Sequence, residues 1–350
     1  MYINFMIDEN KDLYIYFWLL LITLLVALMI VIGGLTRLTD SGLSITNWDI
    51  FSGILPPLNI KEWEHFFSLY KEIPEYKLLN PSMTLEEFKI IYWWEFIHRF
   101  LGRLIGILYL LPLIYFTWKK IIIKKYLISF YLIFILILIQ GFVGWYMVKS
   151  GLVERTDVSH YRLSLHLTLA FIIFGFLLWN LFKHKNNNKF IVNSKIPYFL
   201  PNIFLLCILL QISLGALVSG LDAGNIYQTW PLMGENYFPD DSTLNQLFFL
   251  SLFDNPSLVQ FIHRNFAYLI FFLFLFITVI VFKNNNFTHL RNIILLIFSI
   301  ILLQIFLGIV TVLSGVNIFI ASLHQIGSIL LFTTALILVF KNSKIINQQF

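Results

Sequence analysis

The residues best able to do chemistry in this sequence are histidines. Of the eight present, His65, His184 and His289 fall in loops or at the ends of apolar runs, and His160 lies at the edge of one. His98, His166, His263 and His324 instead each fall near the start of an apolar run, the second, fourth, sixth and eighth along the chain. Each lies roughly five or six residues in, ~8–9 Å below a membrane boundary at helical rise. Polar side chains within a membrane are costly and usually face a bundle interior, paired or functional. Four imidazoles at one depth therefore ask for a common ligand. Haem iron takes axial ligands from opposite faces of its ring, and neutral imidazole is a standard one. Bundles of four helices carry such cofactors between facing helices. The expected pairs are His98 with His166 and His263 with His324. The plainer reading is that each histidine only hydrogen-bonds across helices, which suits one histidine better than four placed alike. A di-metal site is a further competitor, but Glu95-x-x-His98 occurs once rather than twice.

The two pairs differ in one neighbour. Glu95 stands three residues before His98 and shares its helix face, whereas the matching position before His263 is Gln260. A carboxylate beside a haem can transfer protons or stabilise developing positive charge. A neutral amide there suggests a site that only holds its cofactor. The alternative for Glu95 is an interfacial residue paired with Arg99, four residues on. Arg99 and Arg264 each follow a proposed ligand and suit haem propionates, or else snorkel at the interface. Arg103 is similarly ambiguous, and Trp93 and Trp94 read as interface anchors.

These residues must be positioned by membrane helices. The chain has 350 residues, 59% apolar and 12% charged, where a soluble domain carries about a quarter charged residues. Mean hydropathy is +0.81. Eight spans of roughly 20 residues, each enough for a ~30 Å hydrocarbon core, are expected near 14–36, 92–117, 126–148, 161–182, 199–219, 258–282, 292–313 and 319–340. The net charge of +5 does not point to nucleic acid, because the basic residues sit in short loops, the membrane-topology pattern. Lys119, Lys120, Lys124, Lys125, Lys183, Lys185, Lys189, Lys195, Lys283, Arg291, Lys341 and Lys344 crowd the loops after even spans and the tail. Both termini are therefore expected inside. Lys149, Arg155 and Arg162 argue weakly the other way. Two long outer loops, 40–91 and 220–257, are expected, with helical stretches at Ile60–Tyr70 and 84–88, and with Trp48 and Trp63 at the water interface. The single cysteine, Cys207, excludes an intramolecular disulfide. The acidic segment 1–12 reads as neither a cleavable signal nor an organellar presequence, which favours a bacterial inner membrane over a mitochondrial one.

The chain also repeats itself. Glu95-Phe96-Ile97-His98-Arg99 matches Gln260-Phe261-Ile262-His263-Arg264, and Gln140-Gly141-Phe142-Val143-Gly144 matches Gln304-Ile305-Phe306-Leu307-Gly308. Gly34 and Trp48 match Gly215 and Trp230. The expected fold is an all-α polytopic membrane protein: eight transmembrane helices as two pseudo-symmetric four-helix bundles. Residues 1–190 would hold one site and 191–350 the other. Even span numbers make the repeat parallel.

At these residues the sequence resembles the haem A synthase family over nearly the whole chain. The resemblance is carried by Gly33-Gly34-Leu35-Thr36-Arg37-Leu38-Thr39 with Ser41-Gly42-Leu43-Ser44, by the Glu95 to Arg99 motif, by His263-Arg264, and by His166 and His324. It implies an enzyme that oxidises the C8 methyl of haem O to the formyl of haem A for cytochrome oxidase biogenesis, by two hydroxylations and loss of water. It implies that His98 and His166 lie at the substrate haem with Glu95 essential, and that His263 and His324 hold a haem b that passes electrons. Partners it allows are the farnesyltransferase that makes haem O and an electron donor. The outer loops have no paired cysteines, as in the proteobacterial and mitochondrial branch. A b-type cytochrome acting only in electron transfer would need the same ligands but no Glu95, and a haem transporter or assembly chaperone would bind haem without converting it. A prenyl transferase would need aspartate-rich diphosphate sites, and only Asp240-Asp241 come close. Electron donor, oxygen source, oligomeric state and the role of His160 stay open at this level.

Overall fold

A computed structural model of the chain describes residues 2–47, 55–154, 156–185, 196–197 and 199–343. Trp48, Arg155, Lys189, Lys195, Lys344 and the expected boundary at 190/191 lie outside the described residues. Within them the architecture is all-α. Eight helices are long and apolar enough to cross a membrane. They are α1 (Tyr2–Leu38), α4 (Leu85–Trp118), α5 (Lys124–Glu154), α6 (His160–Lys185), α7 (Phe199–Gly220), α8 (Pro256–Lys283), α9 (Arg291–Leu313) and α10 (Ile318–Ser343). Two short helices, α2 (Ile60–Tyr70) and α3 (Pro74–Leu78), lie between α1 and α4. The chain is a multi-pass membrane protein.

The reason is visible along α1. Leu21, Leu24 and Leu28 are exposed while Leu19, Ile22, Val26 and Ile30 are buried. Both faces are apolar, so the outward one needs lipid rather than water. Backbone polar groups in that setting must be satisfied within the segment, which selects helix.

The described chain divides into two compact units, Met1–Phe174 and Gly175–Phe350, a division that falls within α6. In the first unit α1 packs along α4, and α4 along α5. The indole of Trp18 donates to the Leu108 carbonyl at 3.0 Å and packs against Tyr109, Phe116 and Phe130. In the second unit α7 packs on α8, α9 on α10, and α10 on α7.

The loop joining α1 to α4 has a core of its own. Leu43, Ile45, Trp63, Phe67, Tyr70, Phe88, Tyr92 and Phe96 form one buried cluster with Met147, Val148 and Val158 from α5 and the loop before α6. This cluster seats residues 41–47 on the first turns of α4. It also corrects one expectation. Trp63 is not an interface anchor: it is buried, with its ring edge-on to Tyr92 at 4.9 Å. The stretch 84–88 is helical as expected, and it forms the opening turn of α4, started by a capping box between Thr84 and Glu87. The expectation at Ile60–Tyr70 matches α2, which Asn59 caps by accepting the Glu62 amide at 3.0 Å.

Candidate functional site

The longer α4 changes the depth argument. His166 and His324 each fall six residues after the first residue of their helix and His263 seven, but His98 falls thirteen after Leu85. The extra turns of α4 stand in the loop core, so helix start and membrane boundary are not the same place there.

The structure brings the first pair together. The rings of His98 and His166 lie 6.4 Å apart between centroids, at 64°. Two metal–nitrogen bonds of roughly 2 Å plus the two ring radii span about that distance. His263 and His324 also lie within electrostatic reach of one another. The Nδ1 atoms of His166, His263 and His324 are buried and make no hydrogen bond. Buried polar atoms normally have partners, so an orphan on each of three imidazoles marks rings that are not merely cross-linking helices. Among the described residues no cluster of three or more histidine, cysteine or carboxylate side chains could hold a bare ion. Haem brings four nitrogens of its own and needs only two from the protein. The residues present fit that group.

Each imidazole lies against a glycine of the membrane helix that precedes its own in the chain. A Cβ on Gly33 would stand 3.5 Å from Cε1 of His98, and one on Gly144 would stand 3.0 Å from Cε1 of His166. For Gly215 and His263 the distance is 3.2 Å, and for Gly308 and His324 it is 3.0 Å. The glycine of α1 that faces a ligand is thus Gly33, not the Gly34 that the sequence repeat pairs with Gly215.

Beside three of these glycines stands a glutamine one turn earlier. The Nε2 of Gln140 donates to the carbonyl of His166 at 3.1 Å, that of Gln211 to His263 at 2.9 Å, and that of Gln304 to His324 at 2.8 Å. Sequence reading used Gln140 and Gln304 only as repeat markers and missed Gln211. The signal available was a glutamine four residues before a glycine in three apolar runs, where a polar side chain needs a partner.

Glu95 is buried, with 2% exposure. Its Oε2 accepts the Ser44 hydroxyl at 2.7 Å and the Ile45 amide at 2.8 Å, and its Oε1 accepts Nη2 of Arg99 at 2.6 Å. Three donors, one of them cationic, suit a carboxylate, which is acceptor-only. Arg99 also donates to the carbonyls of Ile45 at 2.8 Å and Asn47 at 3.3 Å. The Glu95–Arg99 pair, the alternative reading of this glutamate, is therefore present, but in a buried clasp that ties α4 to the loop after α1. Ser44 was visible in sequence only as part of a motif, and the Ile45 amide was not visible at all.

The second unit repeats the clasp without the charge. Nε2 of Gln260 and Nη2 of Arg264 both donate to the Tyr227 carbonyl, at 3.1 and 2.9 Å. Arg264 reaches the Leu232 carbonyl at 3.4 Å. Both arginines thus spend donors on loop carbonyls. His160, at the start of α6, is buried with its ring against Tyr161. Glu75 in α3 is a second buried carboxyl of the first unit, accepting the Tyr70 hydroxyl at 3.0 Å. Burial pushes its pKa up to about 8 despite that bond, with Glu95 adding to the rise.

Comparison with known proteins gives one answer. The family model described as cytochrome oxidase assembly protein matches residues 16–336. The chain is 48% identical to a protein of Pelagibacter ubique named haem A synthase, over 98% of this chain and all of that one. It is 43% identical to one of that name from Rickettsia bellii, over 91% of this chain and 95% of the relative. Against one from Rhizobium leguminosarum the figures are 45%, 91% and 87%.

Proposed function

This chain belongs to the cytochrome oxidase assembly family that includes the haem A synthases, and on that premise we propose that it is an enzyme converting haem O to haem A. The reaction class is oxidation at a carbon–hydrogen bond. The C8 methyl is hydroxylated twice, each time a two-electron oxidation whose oxidant and oxygen atom come from outside the chain, and the resulting geminal diol loses water to leave the formyl group. The observation that carries this reading is the first unit's juxtaposition: two imidazoles at metal-bridging separation on α4 and α6, with a buried carboxylate one turn from one of them.

In this reading His98 and His166 bind the iron of the substrate haem O. Glu95 faces the same helix side as His98 and handles protons as the methyl is oxidised. Ser44, the Ile45 amide and Arg99 hold that carboxylate still, so that no reorganisation is needed when charge develops. The loop core holds residues 43–45 against the first turns of α4, where they meet this carboxylate. In the second unit His263 and His324 hold haem b, which supplies one-electron chemistry when bound. Gln260, having no charge, is suited to holding rather than reacting. Arg99 and Arg264 brace the two loops and remain near enough in sequence to the ligands to serve the propionates as well. The domain assignment follows: the substrate site is built from the N-terminal four membrane helices and the haem b site from the C-terminal four.

The lysine and arginine distribution supports a bacterial inner membrane with both termini in the cytoplasm and the loops after α1 and α7 on the opposite side. Haem O reaches the site from the farnesyltransferase that makes it, and an electron donor completes the cycle.

A direct test is to express the chain in bacteria that make haem O but lack any haem A synthase, and to identify extracted haems by mass. Haem A is the expected product. Membranes containing the protein and haem O alone would refute the proposal in favour of a carrier or chaperone.

A further inference from the structure

The four imidazoles are not held alike. His166, His263 and His324 each have a glutamine of the preceding helix donating to their own carbonyl. The same amide lies 3.2 Å from Nε2 of His166 and 3.4 Å from Nε2 of His263. In each case a glycine four residues on lies against the ring, which fixes both the backbone and the face of the imidazole. At His98 the glycine is present as Gly33, but four residues before it stands Met29, whose Cε packs against Gly102 one turn beyond the histidine. A thioether cannot donate, and among the described residues no side chain bonds to His98.

The surroundings of Gln304 show that its place is built for it. A Cβ on Gly327 would run into Oε1 of Gln304, so a side chain there would displace that carboxamide. Oε1 of Gln140, Gln211 and Gln304 is buried without a hydrogen bond, as is Nδ1 of all three histidines. Iron-bound histidines commonly donate the other ring N–H to such an acceptor. Each lock thus holds an unpaired acceptor and an unpaired ring nitrogen, the two kinds of atom such a bond needs.

From this we infer that Gln140, Gln211 and Gln304 are positioning residues that lock three haem ligands, and that His98 is built as the exchangeable fourth. The inference rests on the proposed assignment of the first unit to substrate and the second to a resident haem. It gives that assignment a physical reason. A substrate haem must enter and leave, so one weakly oriented axial ligand shortens its stay. A resident haem needs both ligands fixed.

The test uses the purified full-length protein in detergent and measures haem transfer to excess apomyoglobin, together with the low-spin electron paramagnetic resonance signal. Q211M and Q304M should speed haem loss from the second site by roughly fivefold, the scale of one lost buried hydrogen bond, and broaden its low-spin signal. G327A should do the same while leaving Gln304 in the chain, which separates the lock from a general effect of the Gln304 substitution. M29Q should have the opposite effect at the first site, raising retained haem O by about the same factor. Q140M should speed loss from the first site while the second-site signal reports an intact fold. Wild-type release rates and line shapes in Q211M, Q304M and G327A would overturn the lock and leave the functional reading standing. So would unchanged haem O retention in M29Q. A wild-type protein that takes up no haem would overturn both.

Discussion

The carboxylate at Glu95 and the amide at Gln260 are the most informative pair of residues in the chain. Each sits below an arginine that reaches back to a loop carbonyl, but Glu95 accepts from that loop while Gln260 donates to it. A glutamine at position 95 could still accept the Ile45 amide, so E95Q should fold and bind haem O. Its haem A formation should fall by roughly a hundredfold or more, the usual scale of a lost general acid or base. Turnover within a few-fold of wild type in a membrane assay would remove Glu95 from the chemistry. Glu75 makes a separate prediction. Its pKa is pushed from the ordinary 4.5 to about 8 chiefly by burial, so the folded loop keeps a proton that the unfolded chain gives up. The stability this contributes is complete below the unfolded value and is lost as pH rises through the folded one. Wild-type protein should therefore lose more thermal stability between about pH 5 and about pH 9 than E75Q, which stays neutral. Equal losses would show that Glu75 does not hold its proton.

At the scale of elements the controlling feature is how closely helices approach at the ligands. Cβ atoms at Gly144 and Gly308 would stand 3.0 Å from a ligand ring, closer than ordinary contact, whereas one at Gly33 would stand at 3.5 Å. G308A should therefore push the His324 ring by a few tenths of an ångström and shift the haem b absorption band, at an overpacking cost of about 1–3 kcal/mol. G33A should leave turnover within about twofold, since the added methyl meets only normal van der Waals contact. A silent G308A and a dead G33A would reverse the account of which ligands are tightly seated. The elements were also where sequence reading succeeded and failed most clearly. The spans were legible because unbroken apolar runs have few other uses, and α2 because Asn59 and an amphipathic pattern mark it. The opening of α4 was legible as helical but not as part of the span, because a capping box at Thr84 looks the same whether one turn follows or nine. The Glu95 clasp was illegible for another reason. It joins residues about fifty apart through a backbone amide, which leaves no trace in periodicity.

At the scale of the whole molecule the composition decides the environment. Exposed leucines, isoleucines and phenylalanines run the length of the membrane helices. Orientation is open to a clean experiment because the chain has a single cysteine, Cys207, within α7. With Cys207 replaced by alanine, a cysteine introduced at Ser82 or Thr243 should react with a membrane-impermeant maleimide added to intact spheroplasts. One at Lys120 should react only after lysis. The opposite pattern would invert the topology and place both proposed sites on the cytoplasmic side. Four histidines found alike in two halves gave the candidate site from sequence. The contacts of the glutamines that distinguish them became visible only with the helices packed.

The central claim is that two imidazole pairs do different jobs, and the reduced-minus-oxidised spectrum of four purified single variants tests it most directly, with extracted haems identified by mass. H263A and H324A should each lose the low-spin haem b signal. H98A and H166A should keep that signal and yield no haem A. Haem b retained in both H263A and H324A, or haem A still formed in H98A and H166A, would contradict the division of labour on which the account stands.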